Sequence, residues 1–216
     1  MAVYTVSNAG GNYNTGSTWV GGVVPSTTDS IAFSSTSGNL TINVSSTCSG
    51  VNFTNYTGTV TFSTSLISTG TINFGSGGYN VAGSNSLVVT TTTSITSNGT
   101  AWKGNFQIAG SSKTYTLNDD MVVNGTLTIS PTTQATLSGF CLTAKGNVTH
   151  STSGNLIGTT NFVLCDWEYR GICEGCSSSV SCDQKGNSRS RFGISIVIPV
   201  RTRGIDKSSN RSETWV

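Results

Sequence analysis

Charge is what this sequence most conspicuously lacks. Only 9% of its 216 residues are Asp, Glu, Lys or Arg, against about 25% in an average soluble domain. The net charge of +2 is too small to point to nucleic acid. Proline is also scarce, with 3 residues. Disorder ordinarily needs high charge or much proline, so an ordered protein is expected. No run is apolar over the roughly 18 residues that a membrane-spanning helix needs. No window shows the i, i+3, i+4, i+7 spacing of an amphipathic helix. The segment Met1 to Val6 carries neither a basic region nor a long apolar stretch, so no secretory signal is expected there.

Chemistry-bearing residues are few. Up to Leu164 there is no arginine, and the acids are Asp29, Asp119 and Asp120. A glycosidase needs two carboxylates about 5 to 9.5 Å apart across a sugar. Asp119 and Asp120 are neighbours, and neighbours on a strand point to opposite faces. They are expected to form a polar turn before a strand at Met121 to Val123. The single histidine, His150, has no serine or cysteine motif beside it. No catalytic residue and no cofactor is expected from these patterns.

What the chain has instead is glycine, 26 residues of it, with Ser, Thr and Asn filling most polar positions. Its apolar residues alternate in short pieces: Leu40/Ile42/Val44, Val51/Phe53, Val60/Phe62, Ile72/Phe74, Leu87/Val89, Phe106/Ile108, Tyr115/Leu117 and Leu127/Ile129. Period two gives each strand one apolar row and one polar row. A unit recurs at Gly58–Phe62, Gly70–Phe74 and Gly125–Ile129, reading Gly-Thr-apolar-Thr/Asn-apolar, with a degraded copy at Gly158–Phe162. Glycine would make the corner and the following residues a short strand. Recurrence at irregular spacing predicts an all-β protein, a parallel β-solenoid with short, unequal rungs. A β-sandwich is the alternative, though it ordinarily uses longer strands.

Three segments are expected. Residues 1–35 form an N-terminal cap and first strand, 36–164 the solenoid body, and 165–216 a different C-terminal segment. The cap is centred on Trp19, Gly21, Gly22, Pro25 and Asp29, just before the alternation at Ile31 and Phe33. After Leu164 the composition changes, with eight Lys/Arg, six Asp/Glu and four of the six cysteines. That segment is either a cap or attachment module or a tail produced by a change of reading frame. Cys165, Cys173, Cys176 and Cys182 could hold a structural zinc, but their spacing is not that of a zinc ribbon, and free thiols or disulfides compete with it. Cys48 and Cys141 sit in alternating stretches and are expected in the core. Trp102, Tyr115 and Tyr79, with Tyr56 and Tyr13, are candidates for stacking on a pyranose; the competing reading is that they fill the solenoid.

The pattern Trp19-x-Gly21-Gly22-x-x-Pro25-x-x-x-Asp29-x-Ile31-x-Phe33, followed by Gly/Ser/Thr/Asn-rich strands, resembles the start of β-helical surface proteins. These include adhesin-like repeats and phage head fibres, tail fibres and tailspikes. The resemblance covers about residues 1–164. It implies a parallel β-helix displayed on a particle or cell surface, possible trimerisation, and no particular catalytic residue. The expected function is a virion structural or appendage protein, made in the host cytoplasm, that contacts other virion proteins or host surface polysaccharide. A polysaccharide-degrading tailspike-like enzyme and a fragment of a bacterial adhesin are the alternatives. No nucleic acid and no membrane insertion are expected.

Overall fold

A computed structural model describes residues 1–150 together with the strands Leu156–Gly158 and Phe162–Leu164. The chain is a parallel β-solenoid of about 6 turns, with no α-helix among the described residues. Three strand positions recur in each coil. The long sheet stacks eight strands: Val3–Thr5, Ser30–Ala32, Gly50–Asn52, Ile72–Asn73, Thr93–Thr96, Thr114–Leu117, Ala135–Gly139 and Leu156–Gly158. The second face runs Gly11–Asn12, Leu40–Ile42, Thr59–Phe62 and Asn80–Gly83, and resumes as Met121–Val123, Leu142–Ala144 and Phe162–Leu164. The third stacks six strands from Ser46–Cys48 to Val148–His150. Every strand pair is parallel.

Register explains the short strands. On the long sheet Ile31 pairs with Val51, Val51 with Ile72, Ile72 with Ile95, and Ile95 with Leu117. Subtracting these numbers gives coils of 20, 21, 23 and 22 residues. Three strands and three corners share each coil, so a strand holds only two to five residues. The inward residue of each rung is apolar and fully buried, from Ile31 and Val51 through Ile72 and Ile95 to Leu117. The core is one continuous column of such rows, because each coil buries its apolar face only against its neighbours.

The recurrent Gly-Thr-apolar unit turns out not to mark equivalent positions. Its copies fall on the second face (Thr59–Phe62), the long sheet (Ile72–Asn73) and the third face (Leu127–Ile129). What they share is a corner with no room for a side chain. A Cβ on Gly70 would collide with the Ser49 carbonyl, and one on Gly125 with the Gly104 carbonyl. At Gly70 and Gly125 the coil below passes too close for any other residue, and at Gly58 the Tyr56 ring of the same coil fills the space.

The N-terminal segment supplies the first rung of two faces. Val3–Thr5 pairs with Ser30–Ala32 and Gly11–Asn12 with Leu40–Ile42. The chain then doubles back, with an antiparallel bridge between Val6 and Trp19 and bonds from Ser7 N to Thr18 O (2.8 Å) and from Val20 N to Thr5 O (2.9 Å). Trp19 is buried against Tyr13 edge-on at 5.2 Å and donates its indole N–H to the Tyr13 carbonyl at 2.8 Å. Gly21 and Gly22 have φ of 93° and 74°, the left-handed region that favours glycine, and they turn the chain after Trp19. Pro25 is buried.

Candidate functional site

The outward rows of the long sheet form a shallow trough of about 350 Å³ along the solenoid axis. One wall is Ser30, Gly50, Thr71 and Ser94, which follow one another in register. The other is Asn52, Asn73, Thr96 and Asn118. The walls are two residues apart along each strand, or roughly 6.6 Å, and successive rungs are about 4.8 Å apart. Backbone at Ile31, Val51 and Ile72 makes the floor. Gly50 deepens it, since a Cβ there would press on the Thr71 carbonyl (3.0 Å) and the Ser30 hydroxyl (3.2 Å). No residue lining the trough is charged.

Turn chemistry orients the amide wall. Asn52 Oδ1 accepts the Thr54 N–H at 3.0 Å and the Thr54 hydroxyl at 2.5 Å. Asn73 Oδ1 accepts the Gly75 N–H at 2.8 Å and the Asn98 amide at 2.6 Å. Asn118 Nδ2 donates to the Thr96 hydroxyl at 2.9 Å. Asn52 and Asn73 are held by the corners that follow their strands, and Asn73 and Asn118 by residues of a neighbouring coil, so the polar surface is preorganised.

The carboxylates have structural work. Asp29 accepts the Ala2 N–H at 2.8 Å, the Ser26 hydroxyl at 2.6 Å and the Ser26 N–H at 3.1 Å. These bonds, that of the Ser26 hydroxyl foremost, hold its pKa below the ordinary carboxylate value. Asp119 accepts the N–H groups of Ser97 and Asn98, both at 2.6 Å. Asp120 Oδ1 accepts the Cys141 N–H at 3.0 Å. Four rungs separate the coil of Asp29 from that of Asp119, about 19 Å at strand spacing. That is beyond the roughly 9.5 Å limit for a cooperating pair. Among the described residues no group of three His, Cys, Asp or Glu could hold a metal.

The aromatic candidates for sugar stacking are corrected by their burial. Trp102 and Tyr115 are 0% exposed and Tyr79 1%, so no ring face is open to a ligand. Tyr56 and Tyr13 are buried as well. Tyr56, Tyr79 and Trp102 belong to an internal aromatic stack in which Phe33 lies 4.5 Å from Tyr56 and 4.7 Å from Phe53, Phe53 4.8 Å from Tyr79, and Phe74 5.0 Å from Trp102. Burial raises the Tyr79 and Tyr115 pKa values, and that of Tyr56 to about 12.

Trp102 stands where the second face is interrupted. Its backbone bridges only to Val123, and its indole N–H reaches the Asn105 carbonyl at 3.0 Å. Lys103 closes the gap toward the preceding coil by donating to the Tyr79 carbonyl at 2.8 Å. Cys48 and Cys141 are both buried, as expected for core residues. The four cysteines considered for zinc lie outside the described residues.

The trough residues were not singled out from sequence. Period two around Ile72/Phe74 puts Thr71 and Asn73 on a polar row, but the register that stacks such rows into walls is not visible in one strand.

Fold and site together define a β-solenoid with a neutral, hydroxyl-and-amide trough on its longest sheet. No family model matches the chain, and no curated protein or solved structure matches it. No helix among the described residues is long and apolar enough to cross a membrane.

Proposed function

We propose that the chain is a surface-displayed β-solenoid of the virion-appendage type that binds a neutral polysaccharide along the trough of its long sheet. The observation that carries this reading is the trough itself. It combines hydroxyls and oriented amides, the partners of sugar hydroxyls, with no charge to demand a counter-ion. The commitment of Asp29, Asp119 and Asp120 to backbone N–H groups favours binding over hydrolysis. The neutral outer surface and the resemblance of residues 1–164 to β-helical appendages support the virion setting.

Two measurements test the two parts. The full chain should be retained on an immobilised neutral glucan and pass through immobilised polygalacturonate. Thr71→Arg, which fills the exposed middle of the trough, should abolish retention without lowering the melting temperature. Unchanged retention by that variant would sink the site. Mass spectrometry of purified virus particles should find the chain, and its absence from them would sink the setting.

A further inference from the structure

We propose that the trough selects an uncharged, N-acetylated polysaccharide, whose acetamido carbonyls are read by the side-chain amides of Asn52 and Asn73. This rests on the glycan-binding reading above. Asn52 and Asn73 are partners on adjacent rungs, about 4.8 Å apart along the trough. Each Oδ1 already accepts two hydrogen bonds, from Thr54 N–H and hydroxyl in one case and from Gly75 N–H and Asn98 Nδ2 in the other. A carbonyl oxygen has two lone pairs, so both acceptors are saturated and the amides cannot flip. The two Nδ2 groups have no protein acceptor among the described residues, and both residues line the trough. At these two rungs the wall is therefore donor-only, while the opposite wall is Gly50, which has no side chain, and Thr71, whose hydroxyl can donate or accept.

That asymmetry distinguishes sugar substituents. A sugar hydroxyl both donates and accepts, so either wall serves it. An acetamido carbonyl only accepts, and the amide wall is its complement. A carboxylate also only accepts, but the trough holds no cation, and an ion losing its water without a partner is penalised heavily.

The experiment is calorimetric titration of the full chain with three tetrasaccharides: β-1,4-linked N-acetylglucosamine, β-1,4-linked glucose, and galacturonate. The N-acetylated tetramer should bind about tenfold more tightly than the glucose tetramer, as two modest hydrogen bonds allow, and galacturonate should not bind. Asn73→Asp keeps an oxygen for the Gly75 N–H, so the turn survives, but replaces the donor with an anion. It should erase the preference for the N-acetylated tetramer. Asn8→Asp makes the same change on an exposed turn outside the trough and should leave binding unaltered. Should Asn73→Asp fail to fold, Asn52→Asp reads the same contact one rung away. Equal affinity for the two neutral tetramers, or selectivity retained by Asn73→Asp, overturns the amide reading and leaves glycan binding standing. Failure of every neutral tetramer overturns both.

Discussion

Truncating Trp102 to alanine removes one of the largest side chains from the middle of the stack, and its consequences can be worked from the surroundings. The indole is fully buried, lies 5.0 Å from the Phe74 ring at 21°, and meets Phe62 edge-on at 5.9 Å. Aromatic-to-alanine changes in cores cost about 3–5 kcal/mol, and the upper part of that range applies. The surrounding rungs are fixed by backbone ladders and cannot collapse into the space. The Asn105 carbonyl, which accepts the indole N–H at 3.0 Å, also loses its partner, a further cost of about 1 kcal/mol. Trp102→Phe keeps most of the packing and forfeits that hydrogen bond, so about 1–2 kcal/mol is expected. In a domain of this size each kcal/mol shifts the melting temperature by about 2–4 °C. Alanine should lower it by roughly 10 °C or more, and phenylalanine by roughly a third as much. Coils contact only their neighbours, so amide exchange should accelerate in Ile72–Asn73, Asn105–Ile108 and Met121–Val123 before Leu40–Ile42. The alanine variant melting within about 2 °C of wild type would refute the packing argument. Lost glycan binding at unchanged stability would instead place the ring at the surface.

Gly70→Ala should destabilise by at least about 3 kcal/mol in urea unfolding, because its Cβ lands on the Ser49 carbonyl and the backbone must move. Asp29→Ala should release the N-terminal strand, read as faster exchange at Ala2 and Ser26, whose N–H groups the carboxylate accepts. Asp29 has a folded pKa below the ordinary carboxylate value of 3.8, so its contribution is complete above that value. It should be lost only as pH falls through the lower, folded one; protection of Ala2 that vanishes well above pH 3.8 would contradict this. Cys48 is wholly buried, and burial pushes its thiol pKa up to about 12. Its peptide should escape alkylation in the native protein and be labelled fully in guanidinium; rapid native labelling would show that the core is open.

Alternation made the fold class legible. Pairs such as Ile72/Phe74 and Leu127/Ile129 could serve neither a helix nor a loop, and both are buried. Parity also held the answer for Tyr115, which stands in one row with Leu117 and is buried with it. Trp102 and Tyr79 escaped because they lie outside regular alternation, where parity assigns no side. The coil period was hidden by its irregularity and by the Gly-Thr unit, which repeats a corner geometry on three different faces. A better signal was present: Val81, Trp102, Val123 and Ala144 are each 21 residues apart, and each lies two residues before a glycine, Gly83, Gly104, Gly125 and Gly146. A Cβ on Gly146 would meet the Gly125 carbonyl, and one on Gly125 the Gly104 carbonyl. That glycine column is the physical repeat.

One corner explains both the scarcity of charge and where the charge went. One residue beyond Ala32, Asn52 and Asn73 on the long sheet come Phe33, Phe53 and Phe74, all buried, with Phe53 packed against both of the others. The next rungs place Ser97 and then Asp119 at the same turn. The rings stop where the coil lengthens to 23 residues, leaving backbone N–H groups at Ser97 and Asn98 that no strand partner reaches. A carboxylate is the strongest short acceptor for such groups, and Asp119 takes both. Ser97 in turn donates its hydroxyl to the Asp120 carbonyl at 2.7 Å. Asp29 does equivalent work in the N-terminal segment, where the chain also departs from the ladder. In the described coils an acid stands where the coil geometry breaks and almost nowhere else, so the regular rows of the long sheet are left uncharged. The trough owes its neutrality to the regularity of the rungs beneath it.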